Sequence, residues 1–267
     1  MKNLDTPETI VLDKKGPQAT ITLNRPEVHN AMNLTMIREI TRALESLNRE
    51  EGIRLIIFDS TGDHFCSGAD LRWMRSGLTQ SRDQLESESL ELARLFRSLR
   101  ESEAITICSV KGRISGGALG LLAASDFVVA ESSVVLAFPE VKLGLIPATI
   151  APHVLRKAGF SRSSDWMMTG RAVPASEARE GGLIQRICAE GSLESSTREL
   201  AEELLTGGLK ALKGVKALLQ QLESPMEAEE LDLFTSRLIA GFRISPEGQE
   251  GMKARLEKRK PSWNEAD

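Results

Sequence analysis

The chain has 267 residues, 41% of them hydrophobic and 27% charged, with a formal net charge of −4. That length suits one large domain with a core of its own, and the composition is that of an ordinary globular protein. The acidic balance argues against a nucleic-acid binder, which needs a basic surface. Residues 19–23 are short and β-rich and predict a strand. Asn33 then opens an amphipathic helix with Leu34, Ile37, Ile40, Leu44 and Leu47 on one face. Residues 55–58 predict the next strand, and residues 82–100 a second helix carrying Leu85, Leu92, Leu95 and Leu99. Strands are predicted at 105–110 and 127–130, with a short buried helix at 117–124 between them. Such alternation gives an α/β fold for the first ~190 residues. From Ser192 onward the pattern is almost wholly helical, with a break at Ser224-Pro225. A new helix starts at Ser245-Pro246-Glu247, where serine caps and proline takes the first helical position.

Two segments stand out, each following an apolar strand. They are His64-Phe65-Cys66-Ser67-Gly68-Ala69-Asp70-Leu71-Arg72 and Gly112-Arg113-Ile114-Ser115-Gly116-Gly117-Ala118-Leu119-Gly120. Small residues let a ligand approach the main chain. Two such segments can aim two N–H groups at one point, which is how an oxyanion hole is built. Glu140, in Phe138-Pro139-Glu140-Val141, is flanked by apolar residues. Partial desolvation would raise its pKa toward the range useful for proton transfer; the plainer reading is a surface glutamate on a loop. Asp70 could be a second acid, but an aspartate there more often caps the helix starting near Leu71. Arg72, Arg75 and Lys258 are candidates for phosphate contact, although each alone reads more readily as a solvated charge.

Other chemistries find little support. The three cysteines, Cys66, Cys108 and Cys188, form no C-x-x-C pair, and with three histidines no zinc site is expected. His29, His64 and His153 have no triad partners, no nucleophile-elbow pattern is present, and Gly116-Gly117 is no dinucleotide fingerprint. The most apolar stretch, 105–124, is broken by Lys111 and Arg113, whereas a membrane span needs roughly 20 nearly uncharged residues. Met1–Asp5 has no apolar core, so no secretory signal is expected, and reduced thiols fit a cytoplasmic protein.

Five motifs in order resemble the enoyl-CoA hydratase/isomerase (crotonase) superfamily over nearly the whole chain. They are Leu23-Asn24-Arg25-Pro26 with Asn30-Ala31-Met32; Phe65-Cys66-Ser67-Gly68-Ala69-Asp70-Leu71; the stretch from Gly112 to Asp126; Pro139-Glu140-Val141-Lys142-Leu143-Gly144-Leu145-Ile146-Pro147; and Glu250-Gly251-Met252 with Glu257-Lys258-Arg259-Lys260-Pro261. The resemblance implies a spiral of ββα units over 1–191 and a helical trimerisation region over 192–267. It implies an acyl-CoA substrate, no separate cofactor or metal, no membrane or nucleic-acid partner, and a homotrimer or dimer of trimers. By the same resemblance, Ala69 and Gly117 N–H groups hold the thioester oxygen and Glu140 is the acid/base. Gly68, Asp70, Leu71, Gly116 and Gly120 are further substrate-binding positions that the resemblance implies. Val28 and His29 line the adenine end with Glu27, and Arg72 and Lys258 meet the CoA phosphates.

Two departures bear on the reaction. Typical hydratases of the family carry a second glutamate where this chain has Gly120, and one carboxylate suffices for a Δ3,Δ2-enoyl-CoA isomerase. Conversely, Pro147-Ala148-Thr149-Ile150-Ala151-Pro152 and Gly68-Ala69-Asp70-Leu71-Arg72-Trp73-Met74 look like the methylglutaconyl-CoA hydratase-like enzymes of leucine breakdown. Hydration is therefore the expected reaction, with isomerisation as the alternative and a catalytically silent, RNA- or protein-binding relative as a third reading. Glycine at 117 is expected to be required, for backbone shape or for access to the thioester. Glutamate at 120 would raise hydration of crotonyl-CoA if the pocket has room, and would equally fail by overpacking a tight site.

Overall fold

The structure is a computed structural model that describes residues 7–264. The first residues, read above for a secretory signal, lie outside that range. The chain divides into two compact units, one ending at Thr197 and one starting at Arg198. No helix among the described residues is long and apolar enough to cross a membrane.

In the first unit, strands β1 (Ile10–Lys15) and β2 (Gln18–Leu23) form an antiparallel hairpin. The turn carries Gly16 at φ +57°. β1 escapes the sequence pattern because only Ile10 of its six residues is buried. Helix α1 (Leu34–Leu47) starts at Asn33, whose side chain accepts from the Met36 N–H at 2.9 Å. It buries Ile37, Ile40, Leu44 and Leu47 as expected, and Met36 as well. Strand β3 (Leu55–Ser60) leads to α2 (Leu71–Gly77) and α3 (Arg82–Arg100). A capping box of Ser81 and Gln84 fixes the start of α3. Of its four leucines, Leu95 and Leu99 are fully buried, Leu92 is half-buried, and Leu85 is exposed.

Strand β4 (Ile105–Val110) is buried along its whole length, as a strand covered on both faces must be. It is followed by β5 (Arg113–Ser115), α4 (Leu119–Ala124), β6 (Phe127–Glu131) and β7 (Val135–Ala137). Next come α5 (Ala151–Thr169), β8 (Ala172–Pro174), α6 (Ala175–Glu180) and β9 (Arg186–Cys188). The large sheet has the order β1-β2-β3-β4-β6-β9 and is parallel from β2 onward. A small second sheet has the order β5-β7-β8. The pairs β4–β5 and β6–β7 each place one strand in each sheet, which is the repeat of an α/β spiral. Its three-residue strands are too short to carry a period in sequence, so none was predicted. Between the layers sits one core that includes Phe58, Phe65, Phe96, Leu119, Phe138 and Trp166.

The second unit holds the end of α7 (Leu193–Leu205), then α8 (Leu209–Gln221), α9 (Ala228–Ile244) and α10 (Pro246–Leu256). The expected break at Ser224-Pro225 falls between α8 and α9, and Ser245 caps α10 through the Gly248 N–H. Glu247 accepts from the Lys210 and Ala211 N–H groups and so caps the start of α8. Leu231, Phe234, Leu238 and Phe242 of α9 are all half-buried, and an apolar hollow of about 540 Å³ opens between α8 and α9.

The loop between β2 and α1 is shaped by Asn30, which is fully buried at φ +54°. Its side-chain oxygen accepts from the Arg25 N–H at 2.7 Å, and its amide donates to Thr61 O at 2.8 Å and His64 O at 2.9 Å. One side chain thus joins this loop to the chain entering the first glycine segment. Asn30→Ala leaves a buried donor and two carbonyls unsatisfied, and a loss of about 2–4 kcal/mol of folding stability is expected in urea titrations. A loss under about 0.5 kcal/mol would mean that this network carries no weight.

Candidate active site

The first glycine segment is clamped by Met32. The Met32 N–H donates to Gly68 O at 2.7 Å, and the Asp70 N–H donates to Met32 O at 2.8 Å. In a parallel bridge both bonds flank the central residue, so the N–H of Ala69 points away from Met32. Asp70 is the helix cap that its position implied. Its Oδ1 accepts from the Arg72 N–H at 2.7 Å and the Trp73 N–H at 3.4 Å. Its Oδ2 pairs with the Arg25 guanidinium at 2.7 Å. Burial alone would raise the Asp70 pKa, but Arg25 and the two N–H donors outweigh it and hold the carboxyl below its usual range. Asp70 is therefore a fixed anion that starts α2.

The second segment leaves β5 as a single 3₁₀ turn, residues 116–118, and continues into α4. It lies directly against the first: a Cβ on Gly68, which has φ +109°, would sit 3.0 Å from Ser115 O. Gly116 has φ +56°, and a Cβ there would sit 3.4 Å from Glu140 Oε1. Three stretches far apart in sequence thus meet at Gly68, Gly116 and Glu140. Among the described residues, neither the Ala69 N–H nor the Gly117 N–H donates to a protein acceptor. Two unspent donors on adjoining segments are what an oxyanion requires.

Glu140 sits in a 3₁₀ turn, Pro139–Leu143, just after β7. The preceding Phe138 anchors that turn by stacking on Trp166, with centroids 6.1 Å apart and planes 10° apart. Gly144 at φ +71° ends it, and the Leu145 N–H returns to Glu140 O at 2.9 Å. Oε2 of Glu140 is buried and has no hydrogen-bond partner among the described residues. Burial pushes its pKa up, opposed only by its own backbone N–H. This is a half-buried carboxyl and not the surface glutamate of the plainer reading.

The backbone-shape reason for glycine at 117 is corrected, and at 120 the overpacking alternative is the one the structure favours. Gly117 does not have positive φ, and a Cβ there would meet only Leu92 Cδ2, at an ordinary 3.7 Å. Backbone strain therefore requires glycine at 116 and not at 117. At Gly120 the room for a glutamate is absent: a Cβ would lie 2.3 Å from Cζ of the fully buried Phe96.

The remaining residues are more dispersed. Val28, His29, Leu71 and Arg72 are exposed. The His29 ring meets the His64 ring edge-on at 4.8 Å. Lys258 is exposed at φ +55° in the helical unit. Sequence reading passed over the roles of Arg25, Asn30 and Phe96. Arg25 and Asn30 stood inside a quoted motif, and that was the only signal available.

The sequence matches the family described as enoyl-CoA hydratase/isomerase over residues 14–266. The chain belongs to the enoyl-CoA hydratase/isomerase family. It is 31% identical to a protein of Thermus thermophilus named as an enoyl-CoA hydratase, over 94% of this chain and 98% of that one. It is 28% identical to the trans-2-decenoyl-[acyl-carrier-protein] isomerase of Streptococcus mutans, covering 92% and 94%. The crystal structure of an enoyl-CoA hydratase from Shewanella pealeana superposes with a TM-score of 0.91 at 35% identity, covering 96% of each chain. The fold is thus the crotonase-like α/β spiral with C-terminal helices.

For this member of the family, the glycines make separable demands. Gly117→Ala is expected to melt within about 2 °C of wild type, because its Cβ finds ordinary contact. Gly116→Ala is expected to lose roughly 1 kcal/mol or more from its left-handed backbone. It is also expected to lose turnover as its Cβ crowds Glu140. Thermal melts showing the reverse order would place the strain elsewhere.

Proposed function

We propose that this enzyme hydrates an α,β-unsaturated acyl-CoA reversibly, and that its preferred acyl group carries a distal carboxylate, as in 3-methylglutaconyl-CoA. The observation that carries this reading is Glu140: half-buried, with one oxygen unpartnered, beside Gly116 and the second donor segment. Its carboxylate takes a proton from water as the water oxygen bonds to the β-carbon. Electron density moves to the thioester oxygen, which the Ala69 and Gly117 N–H groups stabilise more strongly in the transition state than in the ground state. The carboxyl then returns the proton to the α-carbon, so that one water is added across the double bond. With Phe96 filling the space beside Gly120, no second carboxylate stands there to hold the water. The distal carboxylate of the substrate supplies that contact.

The same observation favours one further reading. A single carboxylate is sufficient to move a proton between the α- and γ-carbons, which is Δ3,Δ2 isomerisation. The named isomerase among the relatives is consistent with it. Within either reading Val28 and His29 line the adenine end and Arg72 meets the CoA phosphates. A cytoplasmic trimer or dimer of trimers is part of the proposal. Ile146, Phe160 and Met168 of the first unit, each more than 70% exposed, are apolar surface of the sort that subunit contacts cover. Light scattering that returns a monomer mass would remove that part.

A panel of acyl-CoAs, followed by conjugated enoyl-thioester absorbance and mass spectrometry, separates the reactions. Hydration is expected to remove the absorbance and add 18 Da, the mass of one water, fastest with 3-methylglutaconyl-CoA and slowly with crotonyl-CoA. Equal rates on the two would end substrate assistance. Absorbance gained from a 3-enoyl-CoA, with no mass change, would establish the isomerase.

Glu140→Gln is expected to lower kcat about 10²–10⁴-fold while leaving KM largely unchanged. If the variant keeps more than about a tenth of kcat, Glu140 is not the proton carrier. In wild type the active form of the first step is the carboxylate, so kcat/KM rises with pH through the raised pKa of Glu140. Its acid limb is expected above the ordinary glutamate value of 4.5. An acid limb at or below that value would contradict the burial argument.

A further inference from the structure

We propose that His64 is a positioning residue for the oxyanion site, tying the second donor segment to the first through the N–H of Arg113. The proposal rests on the reading of the Ala69 and Gly117 N–H groups as the oxyanion donors. The two segments are joined below those donors by main-chain bonds. The Phe65 N–H donates to Lys111 O at 3.0 Å, and the Ser115 N–H donates to Cys66 O at 3.3 Å. Between these rungs the Arg113 N–H finds a ring nitrogen in place of a carbonyl: it donates to His64 Nδ1 at 3.1 Å.

The substitution of an imidazole for a backbone acceptor is built into the local shape. Gly112 turns the chain at φ +66°, and a Cβ there would lie 2.3 Å from His64 Nδ1 and 2.2 Å from Asp63 O. Only glycine leaves that space to the ring. Because the Arg113 N–H is the donor, Nδ1 is the acceptor in this contact. The ring is itself held. The carbonyl of His64 accepts from Asn30 Nδ2 at 2.9 Å, and its edge meets the His29 ring at 4.8 Å. An anchored acceptor thus grips the first residue of β5.

That grip bears on chemistry because β5 has only three residues and runs straight into Gly116 and Gly117. One edge of β5 pairs with β7. Its register against the first segment depends on the three rungs just described. Losing the middle rung lets the Gly117 N–H drift relative to the Ala69 N–H. A misplacement of about 1 Å in such a site costs up to about 10²-fold in rate.

The test uses acetoacetyl-CoA, whose enolate absorbs in the near ultraviolet where its keto form does not. The absorbance of the bound ligand reports directly on the oxyanion donors, without turnover. His64→Ala removes the acceptor, and His64→Asn replaces Nδ1 with an amide oxygen at similar reach. We expect His64→Ala to lose about tenfold or more in bound enolate and in kcat, with KM changed by less than about threefold. We expect His64→Asn to recover most of both. Should His64→Ala not fold, His64→Gln, which fills the space but carries its acceptor one bond too far, takes its place. Wild-type enolate absorbance in a variant lacking the acceptor, or no recovery in His64→Asn, would overturn the role of His64. Absence of the enolate signal in wild type would instead overturn the oxyanion site, and the proposal with it. An enolate signal in a wild type that turns over no acyl-CoA would remove the hydratase and isomerase readings alone.

Discussion

The parallel bridge between Met32 and Ala69 is the contact on which the site depends. It takes up the carbonyl before Ala69 and the N–H after it, so the N–H of Ala69 itself points away from Met32. A donor can stay unspent in a folded protein only if its neighbours are held firmly. Arg25 provides part of that hold, donating through Nη1 to Ala31 O at 2.6 Å and pairing through Nη2 with Asp70. Both partners of this pair are largely buried, so removing either would leave the other charge desolvated and uncompensated. The charges serve less to stabilise the fold than to fix one arrangement of the Arg25–Met32 loop on the Gly68–Asp70 turn.

Glu140 is placed under the opposite logic. Asp70 has every oxygen bonded and a lowered pKa, whereas Glu140 has a buried oxygen with no partner among the described residues and a raised pKa. Two carboxylates lie close to adjoining segments, and their surroundings give them separate tasks. An unpaired buried carboxylate costs stability. The cost is tolerated because Phe138 on Trp166, and the αL residue Gly144, hold the 3₁₀ turn from both ends. In the proposed reaction, that unpartnered oxygen is the one that carries the proton.

Helix α3 sets the size of the site from behind. Leu92 and Phe96 are four residues apart and lie on one face. Gly117 and Gly120 are three apart on the facing turn, and each receives one of these side chains. Small residues on one helix let the bulky ridge of the other approach closely. This packing fills the place beside Gly120 with an aromatic ring. A glutamate side chain has no room at that position.

Much of this was determined by the sequence alone. The apolar periods of α1 and α3, the cap of α1 at Asn33, the buried strand β4 and the start of α10 at Ser245 are local properties, set by residues within a few positions of one another. So was the capping role of Asp70. The order of the glycine segments and of Glu140 sufficed for the family. Tertiary structure alone decided the rest, because each remaining feature joins residues more than 20 positions apart. The three-residue strands β5, β7 and β8 exist by pairing with one another and have no period of their own. Whether a glycine is needed depends on its surroundings in the fold: a left-handed backbone at position 116, the Phe96 ring that a Cβ would strike at position 120, and only an ordinary contact at 117. The raised pKa of Glu140 likewise comes from surroundings that no neighbouring residue specifies. His64 has no triad partner in sequence, and its partner in space is a backbone N–H, a group that every residue except proline carries and that no motif can mark.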